Sequence, residues 1–123
     1  MNNILFVFLG GGIGSVARYG ISALFRSNFQ SVFPLATLLS NVISCTILAL
    51  AVGIFGEKIM TNSSLTALVV IGFCGGFSTF SAFSFETVEL FRSGNIGFAI
   101  ANILISMIVC LGIIFFLTKS NPA

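Results

Sequence analysis

The chain has 123 residues, 57% of them hydrophobic and only 7% charged, with a formal net charge of +2 and a mean hydropathy of +1.16. A soluble domain carries about 25% charged residues, so the composition excludes that class and identifies an integral membrane protein. The few basic residues are scattered, which argues against nucleic acid as a partner, and Cys45, Cys74 and Cys110 are odd in number and widely spaced along the chain with no histidine to complete a zinc site, so they read as buried small-residue packing.

A span needs about 20 apolar residues, so four spans with short connections use up nearly the whole length. The expected fold is all-α, a single four-helix transmembrane domain over residues 1–123. The first span is predicted from Ile4 to Phe25. Asn2 and Asn3 precede it without a positive residue, so it lacks the basic front of a cleavable signal and is expected to be retained. Gly10, Gly11, Gly12, Gly14 and Gly20 form a strip of small residues, and the Gly10-x-x-x-Gly14 spacing lets helix backbones approach closely in lipid. The same stretch, from Gly12 to Ala17, fits a G-x-G-x-x-A dinucleotide fingerprint. That reading fails because no Asp or Glu lies between Met1 and Gly56 to hold a ribose. Arg18 sits well inside the span, where a cation is costly. It either reaches towards the interface or raises the positive potential of an aqueous entrance and so gathers anions there.

A polar connection from Arg26 to Ser31 leads to a second span from Phe33 to Phe55, with Pro34 at its start, where a missing N–H does no harm. Thr37, Asn41 and Ser44 fall on one helical face. An amide in hydrocarbon must find partners, so Asn41 faces another helix or lines a wet path. Gly56, Glu57, Lys58, Thr61, Asn62 and Ser63 read as a polar loop, with a helix cap expected at Ser63 or Ser64.

The third span, from Leu65 to Leu90, contains GFCGGFSTFSAFS, Gly72 to Ser84. Each glycine of Gly75-Gly76 disfavours helix by roughly 1 kcal/mol, and Ser78, Thr79 and Ser81 offer the backbone competing hydrogen bonds. This segment is predicted to break near mid-membrane, which is tolerated only where protein or a water-filled cavity satisfies the freed groups. Phe77, Phe80 and Phe83 recur along one stripe, with Ser78, Ser81 and Ser84 one step round. Such a stripe is either packed core or a set of positive ring edges facing an anion. Glu86 and Glu89 close the helix, with Arg92 placed to pair with Glu89. After a turn from Arg92 to Asn95, the fourth span is predicted from Ile96 to Leu117, where Asn102, Ser106 and Cys110 make a polar track.

With even-numbered crossings, Lys58 and Lys119 share one side while Arg26 and Arg92 share the other. This balance leaves the positive-inside rule little to act on, so the chain is expected to insert in both orientations and to pair as an antiparallel homodimer.

The runs Gly11-Gly12-x-Gly14-x-x-x-Arg18-Tyr19, Thr37-Leu38-x-x-Asn41 and Gly72-Phe73-Cys74-Gly75-Gly76-Phe77-Ser78-Thr79-Phe80-Ser81-x-Phe83-Ser84-x-Glu86 together resemble the small bacterial fluoride channels, the Fluc (CrcB) family. The resemblance covers all the predicted spans, and the third run is its most specific part. It implies a multi-pass protein of the bacterial plasma membrane, not an enzyme, that exports fluoride passively through an antiparallel, dual-topology homodimer with two pores. It also implies a central sodium ion held by the backbone carbonyls of Gly75 and Ser78. By position, Asn41, Phe80 and Phe83 would line the anion path, Ser81 would bind fluoride, and Asn102, Ser106 and Cys110 would form the facing track. Ser44 stands where the family usually has Gly or Ala, and Cys110 where it usually has a hydroxyl. The alternative is a small proton-coupled multidrug exporter, which would need an acid deep in the membrane; the first two spans contain none, and Glu86 lies nearer the end of the third. A purely structural membrane protein would account for the small-residue strip but not for the polar tracks.

Overall fold

The computed structural model describes residues 3–28 and 33–119. Helix α1 runs Asn3–Asn28 without an interrupting proline, and α2 runs Leu35–Thr61 with Pro34 at its N-cap. The expected loop after Phe55 is largely helix instead. Gly56 adopts φ 23°, ψ −93°, a conformation open to a residue without Cβ, and so bends α2 without ending it. The cap predicted at Ser63 or Ser64 belongs to Asn62, whose side chain accepts the Leu65 N–H at 3.0 Å. Asn62 takes this role because its backbone is extended, φ −93°, ψ 103°, as an N-cap requires.

The third span, Ser63–Arg92, is a composite. A first turn, α3 (Ser63–Leu65), passes into a π-helix over Thr66–Cys74 and then into α4 (Gly75–Phe77). Winding stops at Ser78 and Thr79, both extended, and resumes as α5 (Phe80–Arg92). The predicted break is present, but it follows the glycine pair: Gly75 is helical at φ −65°, ψ −36°. The break falls where Thr79 exchanges backbone bonds with the Asn41 amide and caps α5 with its own hydroxyl, not where the glycines weaken the winding. The phenylalanine stripe is thereby divided, with Phe77 buried before the break and stacked near Phe73 at 5.5 Å, and Phe80 and Phe83 beyond it. Helix α6 (Ile96–Thr118) completes four helices long and apolar enough to cross a membrane.

Close backbone contact joins α1 to the first half of the third span. Gly10 faces the Leu68 carbonyl and Phe73, Gly14 faces the Phe73 carbonyl, and a Cβ at Gly76 would lie 3.0 Å from the Gly11 Cα. The strip predicted on α1 therefore packs against a second strip, Gly72-x-x-x-Gly76. Helix α2 packs on α6, which also meets α5. The buried apolar residues are mostly small, among them Ala49, Ala67 and Ala99, while the largest fully buried side chains are Asn102 and Ser40. Large apolar side chains such as Phe8, Ile54 and Phe115 point outward. A polar interior inside an apolar shell is the arrangement suited to lipid, where helices associate through small residues and internal hydrogen bonds.

Candidate anion pathway

Thr79 organises the site. As the N-cap of α5 it accepts the Ala82 N–H on Oγ1 at 3.1 Å. Its own N–H donates to Asn41 Oδ1 at 2.8 Å, and its carbonyl accepts from Asn41 Nδ2 at 3.3 Å. The Asn41 amide thus replaces a strand partner for one extended residue, satisfying backbone that winding has released. A primary amide carries two N–H groups, so Nδ2 keeps one donor beyond this clamp.

The carbonyl groups before the break are treated differently. Cys74 O accepts from the Ser78 amide at 3.0 Å, Ser78 Oγ at 2.7 Å and Ser44 Oγ at 2.9 Å. Gly76 O accepts from Arg18 Nε at 3.3 Å. This contact places a cation at the carbonyl end of a helical segment, where the dipole favours it. In an unbroken helix the amides of Thr79 and Ala82 would bond the carbonyls of Gly75 and Ser78. Here those donors are committed to Asn41 and to Thr79 Oγ1.

A cavity of about 230 Å³ opens beside the break, lined by Asn41, Cys45, Ser78, Thr79, Phe80, Phe83, Ser106, Met107 and Cys110. Of the residues predicted for an anion path, it unites Asn41, Phe80, Phe83, Ser106 and Cys110. The Phe80 and Phe83 rings stand 5.8 Å apart, with Phe80 77% exposed on the surface of the single chain. Ser81 lies outside this cavity, exposed, with its Oγ 3.1 Å from Thr79 Oγ1. Asn102 is also outside it. At 2% exposure, it donates to Thr87 Oγ1 at 2.9 Å and accepts from Ser106 Oγ at 3.3 Å. It supports the track from behind and leaves Ser106 at the cavity wall.

Among the described residues, no charged side chain lines this cavity. Its polarity comes from neutral donors and from the start of α5, whose first N–H groups have no intrahelical acceptors and carry the positive end of the helix dipole. An anion is favoured there without a fixed charge to hold it.

Sequence reasoning named Thr79 only as a competitor for backbone hydrogen bonds and Cys45 only as an isolated thiol, and did not foresee the Asn41 clamp on Thr79 or the Thr37 to Glu86 contact. Thr37 Oγ1 donates to Glu86 Oε2 at 2.9 Å, while Glu86 Oε1 is buried without a hydrogen-bond partner among the described residues. The placement of Thr37, Asn41 and Ser44 on one face was a usable signal, since each bonds the third span. The pairing expected of Arg92 and Glu89 is present at 3.5 Å on the exposed surface.

The family described as CrcB-like protein, Camphor Resistance (CrcB), matches residues 5–117. The chain is 38% identical over 110 residues to a protein of Coxiella burnetii named fluoride-specific ion channel FluC, covering 89% of each. A protein of the same name from an Enterobacter species is 41% identical over 105 residues, covering 85% of this chain and 82% of the relative. A third so named, from Flavobacterium psychrophilum, is 37% identical over 113 residues, covering 92% of this chain and 90% of the relative. With four helices of spanning length and a match over nearly all of its residues, this multi-pass bacterial membrane protein belongs to the CrcB family.

Proposed function

We propose that this chain is a fluoride-specific ion channel that lets fluoride leave the cytoplasm passively. The observation that carries the reading is the cavity at the break, where the spare Asn41 N–H and the Phe80 and Phe83 ring edges offer neutral donors beside the α5 N-terminus. Fluoride is small and strongly hydrated, so a path must replace its water with donors. Release demands that no donor bind too strongly, which neutral amides, hydroxyls and ring edges satisfy better than Arg or Lys. The relatives' name agrees with this chemistry. A proton-coupled drug exporter would need an acid at its substrate site, and none lines this cavity.

The working unit in this reading is an antiparallel homodimer. Phe80 and Ser81 are exposed on one chain, and a partner would enclose them to complete a path. Gly75 is exposed too, and a Cβ there would meet nothing nearer than the Val70 carbonyl at 4.0 Å. The carbonyls of Gly75 and Ser78, deprived of helical donors, are the oxygen ligands that fit a sodium ion shared between two chains. Such an ion would fix the two breaks against each other. Arg18, bonded to Gly76, adds positive potential behind the break and attracts anions towards it.

Outward flux would be driven by a negative-inside membrane potential. Fluoride efflux from proteoliposomes under an imposed potassium potential is the test. Rapid fluoride release with chloride retained is expected; release of neither anion would overturn the channel reading.

A further inference from the structure

Cys45 on α2 and Cys110 on α6 lie on helices that pack together, and both line the cavity at the break. Both are half-buried free thiols that face this one cavity from adjacent helices. The third cysteine, Cys74, is buried and does not line the cavity. The anion-path reading has no use for a thiol pair at this place, because sulfur is a weak donor.

We propose that Cys45 and Cys110 form a two-thiol site that captures a mercuric ion, and that the captured ion obstructs the cavity. The ligand class follows from number, softness and charge. Among the described residues no group of three or more His, Cys, Asp or Glu could hold a metal, so a four-coordinate zinc site is excluded. Two sulfurs suit a soft ion of filled d shell that accepts linear two-coordination. Charge then selects among such ions. Two thiolates neutralise one divalent ion, whereas with silver or cuprous ion they leave a net negative charge in a wall of low polarity, which is costly. Capture is balanced as follows: each thiol loses its proton to water, the mercuric ion gives up two chlorides or waters, two sulfur–mercury bonds form in their place, and nothing is oxidised or reduced.

The obstruction rests on the channel reading; the capture does not. Purified protein is treated with one equivalent of mercuric chloride, denatured, and weighed by mass spectrometry, with remaining thiols counted by a maleimide. A bridged chain is expected, heavier by one mercury less two hydrogens, with only Cys74 open to maleimide. Cys45→Ser and Cys110→Ser should each lose the bridge, whereas Cys74→Ser should keep it. A mercury ion attached through one thiol only, with two thiols still open to maleimide, or a bridge that survives Cys110→Ser, would overturn the site. In proteoliposomes each protein is compared with its own untreated rate. Loss of fluoride flux in the bridged protein, sparing Cys45→Ser, supports obstruction, and unchanged flux in fully bridged protein overturns it. Absence of flux before mercury is added would instead overturn the channel reading, while the mass result would still decide the thiol site.

Discussion

Asn41 does two separable things, and substitutions can pull them apart. Its Oδ1 accepts the Thr79 N–H and its Nδ2 donates to the Thr79 carbonyl, while the amide also lines the cavity. Asn41→Ala should leave buried backbone groups unsatisfied and lower stability by about 1–3 kcal/mol. Asn41→Asp keeps the acceptor for Thr79 but places a negative charge on the wall of the cavity proposed as the anion route, so flux should be lost even in protein that elutes normally by size exclusion. The rings invite a similar comparison. Phe80 is largely exposed on the single chain, so Phe80→Leu removes little internal packing and should change chain stability by less than about 0.5 kcal/mol. Leucine has no positive ring edge. A sharp fall in fluoride efflux for Phe80→Leu and Phe83→Leu is therefore expected from proteins that insert and dimerise normally. Wild-type efflux in both would return the rings to packing.

Between elements, glycine contacts separate the positions that pack within a chain from those facing outward. Gly76→Ala would press a methyl group against the Gly11 backbone, whose Cα would lie 3.0 Å away, and should destabilise the α1 contact by roughly 1–3 kcal/mol. Gly12→Ala meets nothing within 4 Å and should be nearly neutral for the chain. Gly75→Val is open within the chain too, so any loss of assembly or of sodium dependence in that variant reports a partner across the break. Thermal melts beside size-exclusion profiles distinguish these outcomes. The spans themselves were legible, because hydropathy is summed over about 20 residues and survives local exceptions. The position of the break was less so. Propensity points to Gly75-Gly76, but the decisive bonds come from Asn41, 38 residues before Thr79 in the chain, a separation no local pattern reports. Nothing in Thr66–Cys74 distinguishes a π-helix from an α-helix by composition. The polar track was legible as spacing, yet spacing could not tell that Asn102 turns to Thr87 while Ser106 and Cys110 reach the cavity.

For the whole molecule, the question is whether two copies of opposite orientation pair in the bilayer. Three basic side chains at the helix ends are held locally: Arg26 lies 5.8 Å from the Tyr19 ring centre, Lys119 lies 5.6 Å from that of Phe116, and Arg92 pairs with Glu89. By crossing number, Lys58 and Lys119 fall on one side and Arg26 and Arg92 on the other, so neither side outweighs its opposite. Orientation in short-loop proteins follows the lysine and arginine bias, so a small addition should tip it. Ser63→Lys with Ser120→Lys loads one side and should drive the chain into a single orientation. Ser27→Lys with Asn28→Lys loads the other and should fix the reverse. A pair of C-terminal reporters, one active only inside the cell and one only outside, reads the result directly. In the antiparallel reading, the unmodified chain lights both reporters, each biased variant alone loses fluoride efflux, and co-expression of the two restores it. Efflux from either biased variant alone, or a single fixed side for the unmodified chain, would mean that pairing of opposite orientations is wrong.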